Sequence, residues 1–194
     1  LIAQNGLFSQ TNLVPNQITT DLTLNGTNLV NTSVVIQTNA TLTIQAGTTM
    51  LMNTSVVITV YGKLIAAGTT NQPIYFTRAT TSARWNRIMF IKASDSAFTN
   101  CYFEYANCAG NHLDYYDNDC NPDTPPPARS YHEAIVAIGT HLDFDSCVFR
   151  NLPDTSSSAE GDAIAIISDD PQVAGISSAT FHNCQFLSIG QGIH

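Results

Sequence analysis

The sequence predicts an all-β fold, and both its composition and its repeats support this prediction. Its 194 residues include 23 Thr, 17 Asn and 15 Ser but only 3 Glu and 2 Lys, and 11% of the residues are charged. Thr favours strands, and Asn and Ser favour turns, whereas Glu and Lys favour helices. The apolar runs, such as residues 163–167, are far shorter than the roughly 18 residues of a membrane helix, so we expect no membrane span.

The first half of the chain repeats itself at a nearly constant interval. The hexapeptide Asn-Thr-Ser-Val-Val-Ile occurs at 31–36 and again at 53–58, and Gly-Thr recurs at 26–27, 47–48 and 68–69. Each Gly-Thr follows a short run of alternating apolar residues, which is the period of a strand. We therefore expect each of these glycines to adopt a turn conformation that other residues resist.

The second half of the chain repeats a different motif, which also alternates apolar residues at the period of a strand. The pattern Phe-x-(Asn/Ser)-Cys-x-Phe begins at Phe98, Phe144 and Phe181, and apolar runs at 134–138 and 163–167 precede its second and third copies. Units of about 21–29 residues, made of short strands and turns, indicate a parallel β-helix. Alternate apolar residues would point into the core, with Thr and Asn outside. An antiparallel sandwich is the alternative, but it does not explain identical residues at a constant interval.

We place the β-helix at residues 19–194, with a long acidic loop insertion at 107–131, and expect residues 1–18 to cap the first coil. The insertion is rich in proline and stands outside the repeat. Charge is uneven: residues 1–92 have five basic residues and one acid (+4), whereas residues 93–194 have two and 14 (−12), which together give −8. An acidic chain without a basic stripe is not expected to bind nucleic acid.

Three segments resemble a known family. Residues 60–77 (Val-Tyr-Gly-Lys-Leu-Ile-Ala-Ala-Gly-Thr-Thr-Asn-Gln-Pro-Ile-Tyr-Phe-Thr), 85–88 (Trp-Asn-Arg-Ile) and 98–106 (Phe-Thr-Asn-Cys-Tyr-Phe-Glu-Tyr-Ala) are similar to right-handed parallel β-helix modules of secreted surface proteins in the pectin-lyase-like superfamily. The resemblance covers most of residues 20–194. It implies a right-handed coil and an extracellular or cell-surface location. It implies no single activity, because the superfamily includes pectate lyases, polygalacturonases, adhesins, phage spikes and modules without known activity.

No catalytic residue is predicted, because the carboxylates do not form a complete catalytic set. Asp169-Asp170 resembles the paired aspartates of polygalacturonases, but the companion motifs Asn-Thr-Asp, Gly-His-Gly and Arg-Ile-Lys are missing, and a surface turn also explains the segment. Asp143 and Asp145 alternate along a strand, so both should point outward, either solvated or in contact with an ion or a sugar. Trp85 could stack on a sugar ring or cover a corner of the core.

The acidic insertion contains the best ion site in the sequence. Asp117, Asp119, Asn121 and Asp123 place oxygen atoms at alternate positions, an arrangement that could hold calcium. A solvated acidic loop is the alternative, because the glycine and the closing glutamate of an EF-hand are missing. No cofactor is otherwise required, and the histidine spacing predicts no zinc site.

The five cysteines fall into two groups. Cys108 and Cys120 lie within the insertion, where a disulfide between them would stabilise the fold by roughly 3 kcal/mol through loop closure. Cys101, Cys147 and Cys184 occupy equivalent places in three repeats. We expect these three to stack as free thiols in the core, where they act as small hydrophobic residues.

Four Asn-x-Ser/Thr sequons begin at Asn25, Asn31, Asn39 and Asn53. Such sequons are acceptors of N-linked glycans in secreted proteins. Asn31 and Asn53 begin the duplicated hexapeptide, so they should lie one above the other and could carry a row of glycans.

The leading functional interpretation is a non-enzymatic extracellular structural or adhesive protein, either a subunit of a head-to-tail filament or a fragment of a larger surface protein. The first and last coils of a solenoid expose strand edges, so self-association through these coil ends is expected. The alternative is a polysaccharide-active lyase or hydrolase, or a carbohydrate-binding module, with an acidic, calcium-assisted groove. Thr rows such as Thr41 and Thr43 suggest ice or mineral binding, but neighbouring coils do not continue the row.

Overall fold

The computed structural model describes residues 11–106, 133–152, 162–167, 175–187, 189 and 193. Strands and their connecting turns make up these ranges, in which no helix has the length and apolar character to cross a membrane. The strands are β1 (Thr11–Leu13), β2 (Gln17–Ile18), β3 (Leu22–Leu24), β4 (Thr27–Val30), β5 (Val34–Ile36), β6 (Thr41–Gln45), β7 (Thr49–Met52), β8 (Val57–Val60), β9 (Lys63–Ala67), β10 (Ile74–Arg78), β11 (Arg87–Ile91), β12 (Ser96–Thr99), β13 (Cys101–Glu104), β14 (Glu133–Ile138), β15 (His141–Asp145), β16 (Val148–Arg150), β17 (Asp162–Ile167), β18 (Ser178–His182) and β19 (Gln185–Leu187).

The strands form three parallel sheets, and every third strand returns to the same sheet. Sheet 1 has the order β1-β4-β7-β10-β13-β16-β19, sheet 2 has β2-β5-β8-β11-β14-β17, and sheet 3 has β3-β6-β9-β12-β15-β18. Each coil therefore contributes one strand to each sheet. This topology confirms the predicted all-β parallel β-helix.

Columns of phenylalanine rings form the centre of the core. The column in sheet 1 consists of Phe76, Phe103, Phe149 and Phe186. The centroids of successive rings lie 4.9, 4.8 and 5.0 Å apart, and the rings are nearly parallel. In sheet 3, both spacings are 5.1 Å in the column Phe98, Phe144 and Phe181. Each copy of the Phe-x-(Asn/Ser)-Cys-x-Phe motif thus gives its first ring to sheet 3 and its last to sheet 1. The two columns meet edge to face, a favoured geometry for aromatic pairs.

In sheet 2, strands β11, β14 and β17 carry buried apolar residues on the outer face as well as the inner face. Five outward-pointing residues form a second buried cluster: Met89, Ile91, Val136, Ile138 and Ala165. Parallel strands buried on both faces appear in a sequence as continuous apolar runs rather than alternating ones, as at 134–138 and 163–167. The prediction of a polar exterior is therefore wrong for these three strands.

The duplicated hexapeptide is not in register along its whole length. Val30 pairs with Met52 on the next coil, whereas Val34 pairs with Ile58 rather than with Val56, its counterpart in the second hexapeptide. The chain between Met52 and Ile58 is thus two residues longer than the chain between Val30 and Val34. A shift of two residues keeps side chains on the same face of a strand, so both copies still bury apolar residues.

Two of the three Gly-Thr turns use glycine as predicted. Gly26 and Gly47 have φ values of +64° and +78°, in the left-handed region. Gly68 does not, and the expectation is wrong there. A Cβ at Gly68 would lie 2.7 Å from the carbonyl oxygen of Asn100 and 2.9 Å from that of Thr99, so this glycine instead permits the next coil to approach closely.

Coil length varies more widely than the repeats predict. Along sheet 1, Thr11 pairs with Thr27, 16 residues further along the chain, whereas Phe149 pairs with Phe186, 37 residues further along, and both spacings fall outside the predicted 21–29. Residues 11–18 already contribute β1 and β2 to the sheets, so the solenoid begins before residue 19. Residues 1–10 and the insertion at 107–131 lie outside the described residues.

The phenylalanine columns lead to a prediction about stability. Phe103→Ala should lower the free energy of unfolding by about 3–5 kcal/mol, because it leaves a cavity between two buried rings. Phe186→Ala, which truncates a half-buried ring at the end of the same column, should cost distinctly less. Urea unfolding followed by circular dichroism measures both values, and equal losses would contradict this account of the core.

Candidate functional site

The outer face of sheet 1 and the adjoining turn carry three arginines and three tyrosines, which we call the arginine–tyrosine surface: Tyr75, Arg78, Arg84, Tyr102, Tyr105 and Arg150. Its tyrosine pair follows from strand register. Tyr75 and Tyr102 are paired residues on neighbouring strands, and each lies between two inward-pointing residues, so both rings point outward. Their centroids are 4.9 Å apart with an interplanar angle of 19°.

A salt bridge holds Arg150 against this tyrosine pair. Arg150 pairs with Glu104 on the neighbouring strand, and its Nε donates a hydrogen bond of 2.7 Å to Glu104 Oε1. The guanidinium carbon lies 4.8 Å from the centroid of the Tyr102 ring. The hydrogen bond to Glu104 raises the pKa of Arg150 above its ordinary value. The charge of Arg150 is thus neutralised locally, and its side chain is fixed over the ring.

The other two arginines converge on Tyr105. The guanidinium carbon of Arg78 lies 3.8 Å from the ring centroid of Tyr105, and that of Arg84 lies 5.4 Å from it. Both Nη1 atoms donate to the carbonyl oxygen of Thr81, at 2.5 and 3.5 Å. Because they share one acceptor, the two nitrogens lie close to each other. This arrangement brings two positive charges together at one ring.

The turn that carries Arg84 is anchored to the core by Trp85. Trp85 is completely buried, and its Nε1 donates a 2.7 Å hydrogen bond to the carbonyl oxygen of Glu104. The Arg84 carbonyl accepts a hydrogen bond from the backbone of Ser55 at 2.8 Å. Trp85 therefore covers a corner of the core, which is one of its two predicted roles. Its ring is buried and not exposed for stacking on a sugar.

The electrostatic environment of these arginines differs from that of the chain as a whole. The chain has a formal charge of −8 and seven basic residues, of which three lie in this surface. Among the described residues, no carboxylate forms an ion pair with Arg78 or Arg84, whereas Glu104 pairs with Arg150. The surface therefore presents local positive charge beside half-buried aromatic rings.

Sequence reasoning missed this surface, although part of it had a visible pattern. The dipeptides Tyr75-Phe76 and Tyr102-Phe103 occupy equivalent repeat positions, which would have indicated a tyrosine pair outside a phenylalanine pair. Arg78 and Arg84 meet Tyr105 through an irregular turn, which has no repeat from which to predict the contact.

Cys101, Cys147 and Cys184, which were predicted to stack, are free thiols on the core side of sheet 1. They occupy aligned positions on successive coils. Each thiol donates to a carbonyl of the preceding coil in sheet 3: Cys101 to Ala66 at 3.6 Å, Cys147 to Phe98 at 3.4 Å and Cys184 to Phe144 at 3.5 Å. Thr48 makes the equivalent bond to Leu24 in an earlier coil. The thiols therefore act as small hydrogen-bond donors at one corner of the solenoid.

The environment of each thiol changes its acidity. Burial raises the pKa of Cys101 well above its ordinary value, and burial also raises that of the half-buried Cys184. A hydrogen bond from Cys101 lowers the pKa of Cys147. Cys101 and Cys147 are inaccessible to solvent, so a role for either as a nucleophile has no structural support.

The predicted calcium ligands and disulfide lie outside the described residues. These are Asp117, Asp119, Asn121 and Asp123 for calcium, and Cys108 and Cys120 for the disulfide. Within the described ranges, no group of three His, Cys, Asp or Glu side chains is arranged to hold a metal ion.

The four sequons lie on the outside of the early coils. Asn25, Asn31 and Asn39 are exposed and Asn53 is half-buried. Asn31 lies directly above Asn53, whose Nδ2 donates to Asn31 Oδ1 at 3.0 Å. The row of asparagines therefore exists as a structural feature, while glycosylation stays a prediction.

Asp143 and Asp145 point outward from sheet 3, and each has a histidine partner. His141 Nε2 lies 3.0 Å from Asp143, and His182 Nδ1 lies 3.6 Å from Asp145. Both carboxylates are more than half exposed. The two histidines are distant in sequence, but adjacent strands place them on one face, at opposite ends of the strand pair, where His141 is opposite Ser178 and His182 is opposite Asp145.

No protein-family model, curated protein or solved structure matches this chain. Its described surfaces are therefore the basis for inferring its function. Of these surfaces, the arginine–tyrosine surface combines fixed rings, fixed charges and partial exposure.

Thiol burial leads to a prediction about alkylation. At pH 8 in the folded protein, iodoacetamide should modify Cys184 at least about tenfold faster than Cys101, because Cys101 is inaccessible and has a raised pKa. Peptide mapping by mass spectrometry gives the rate at each site, with urea-unfolded protein as the control in which the rates converge. Equal rates in the folded state would show that the stack is not buried.

Proposed function

We propose that this protein is a non-enzymatic extracellular β-helix of structural or adhesive type, which holds its ligand on the arginine–tyrosine surface. The observation that carries this proposal is the convergence of three arginines on three tyrosines, supported by parallel strands and an anchored turn. The resemblance to secreted pectin-lyase-like modules supports the extracellular location that we propose.

The surface is suited to binding because it is already organised. Tyrosine supplies a large contact area and has few side-chain torsions to fix. The neighbouring ring fixes Tyr102 on one side and the salt-bridged Arg150 packs against it. A ligand would therefore lose little affinity to the ordering of these side chains.

Carbohydrate is the ligand class that we propose. A sugar ring combines an apolar face with a hydroxyl-rich edge, which matches a tyrosine ring beside hydrogen-bond donors. Arginines at the margin of the surface supply donors in a fixed planar arrangement. Association of one copy with another through the coil ends stays a separate prediction, which light scattering coupled to size-exclusion chromatography tests.

A polysaccharide-active enzyme is the second candidate, and the histidine–aspartate pairs on sheet 3 favour it. An imidazole hydrogen-bonded to a carboxylate, as in His141 and Asp143, can transfer protons in general acid–base catalysis. For this function, turnover of a polysaccharide should depend on Asp143 or Asp145 and not on Tyr102.

Binding and turnover of insoluble polysaccharides distinguish the two candidates. We expect the protein to be retained on at least one polysaccharide without release of sugar products. Tyr102→Ala should weaken retention about tenfold, because it removes the ring against which both Tyr75 and Arg150 are ordered, whereas Tyr102→Phe should retain most of the binding.

Thr43→Ala is the matched control, because it also removes an outward-pointing side chain from a strand, but on sheet 3. It should leave binding unchanged. Sugar release that is lost in Asp143→Asn would support the enzyme, and retention that Tyr102→Ala does not alter would refute the proposed surface.

A further inference from the structure

We propose that Arg78 and Arg84 together bind a tetrahedral oxyanion with three free oxygens, a sulfate or phosphate ester group carried by the ligand. This inference rests on the proposed function, since the oxyanion would belong to the ligand held on the arginine–tyrosine surface. It adds the chemical group that the ligand must present.

The two guanidiniums are held close together by contacts on two sides. Both lie against the ring of Tyr105, and both donate from Nη1 to the carbonyl oxygen of Thr81. Arg84 Nη1 also donates to the Ala83 carbonyl at 3.0 Å. The arginines are therefore preorganised as a pair.

Charge distinguishes this pair from the third arginine of the surface. Arg150 is neutralised by Glu104, but no carboxylate among the described residues pairs with Arg78 or Arg84. Two positive charges that share one hydrogen-bond acceptor, the Thr81 carbonyl oxygen, repel each other, and the half-buried setting weakens screening by solvent. A bound anion would relieve this repulsion.

The remaining donors determine the shape of the anion. In the described structure, the hydrogen bonds of Arg78 and Arg84 use Nη1, so Nε and Nη2 of each side chain are available to a ligand. Arginine forks bind oxyanions through pairs of N–H groups. One guanidinium satisfies a planar carboxylate, as Arg150 does with Glu104, whereas a tetrahedral group can direct oxygens toward two guanidiniums.

The position of the turn provides access for a large ligand. Arg78 and Arg84 are both partly exposed, and they lie next to the half-buried Tyr105 ring rather than in a closed cavity. An ester group on a polymer could therefore reach the arginines while its sugar rings contact the tyrosines.

Four polymers with a common backbone test this inference: dextran, carboxymethyl dextran, dextran sulfate and phosphorylated dextran, with the three charged ones matched in charge density. We expect dextran sulfate or phosphorylated dextran to bind at least about tenfold tighter than carboxymethyl dextran in calorimetry at one salt concentration. Comparing the sulfated and phosphorylated polymers identifies which ester is preferred. Inorganic sulfate or phosphate should compete, and acetate at equal ionic strength should not.

Variants assign the effect to the two arginines. Arg78→Gln and Arg84→Gln should each weaken binding of the preferred ester polymer about tenfold. Arg78→Lys should recover only part of the loss, because lysine keeps the charge but lacks the fork. Lys63→Gln removes the same charge from sheet 3 and should change binding less than twofold, and circular dichroism checks that every variant is folded.

Equal affinity for carboxylated and ester polymers, or binding that both glutamine variants leave intact, would overturn the oxyanion site. If retention on a polysaccharide still depends on Tyr102 in that case, the proposed function stands and only this inference fails. If no polysaccharide and no charged polymer binds at all, both proposals fail.

Discussion

The constraint on which the structure depends is the spacing between parallel strands, about 4.7–4.9 Å. Inside the solenoid it places successive phenylalanine rings of sheet 1 at 4.8 to 5.0 Å. Outside the same sheet it places Tyr75 and Tyr102 at 4.9 Å. One backbone repeat therefore orders the core and the candidate site together, because each outward ring is flanked in sequence by inward residues whose burial fixes the strand.

The same spacing turns equivalent repeat positions into interacting pairs. Asn53 donates to Asn31, and Arg150 pairs with Glu104, in each case between neighbouring coils of sheet 1. At the corner between sheets 1 and 3, cysteine thiols and the Thr48 hydroxyl donate to carbonyls one coil earlier. Cysteine can occupy this corner because it is small, tolerates burial and still offers a donor.

Features with a period could be predicted from the sequence, and features without one could not. The alternating and repeated Phe and Cys positions predicted the parallel solenoid and the alignment of Cys101 with Cys147. Coil lengths were predicted less well, because turns can lengthen without disturbing strand register, as the shift after Met52 shows. The contact of Arg78 and Arg84 with Tyr105 could not be predicted from the repeats, because it depends on a turn whose path is set by the burial of Trp85.

That turn explains how a repetitive fold can present a site that does not repeat. Strands can only align rings and charges along the solenoid axis, at fixed intervals. The turn between β10 and β11 carries Arg84, which is not part of this regular spacing. The hydrogen bond from Trp85 to the Glu104 carbonyl joins this turn to the strand that carries Tyr102. Strand register therefore locates the rings of Tyr75 and Tyr102, and the turn locates Arg84. Because the buried indole of Trp85 joins the strand to the turn, it fixes the position of Arg84 relative to the tyrosine rings.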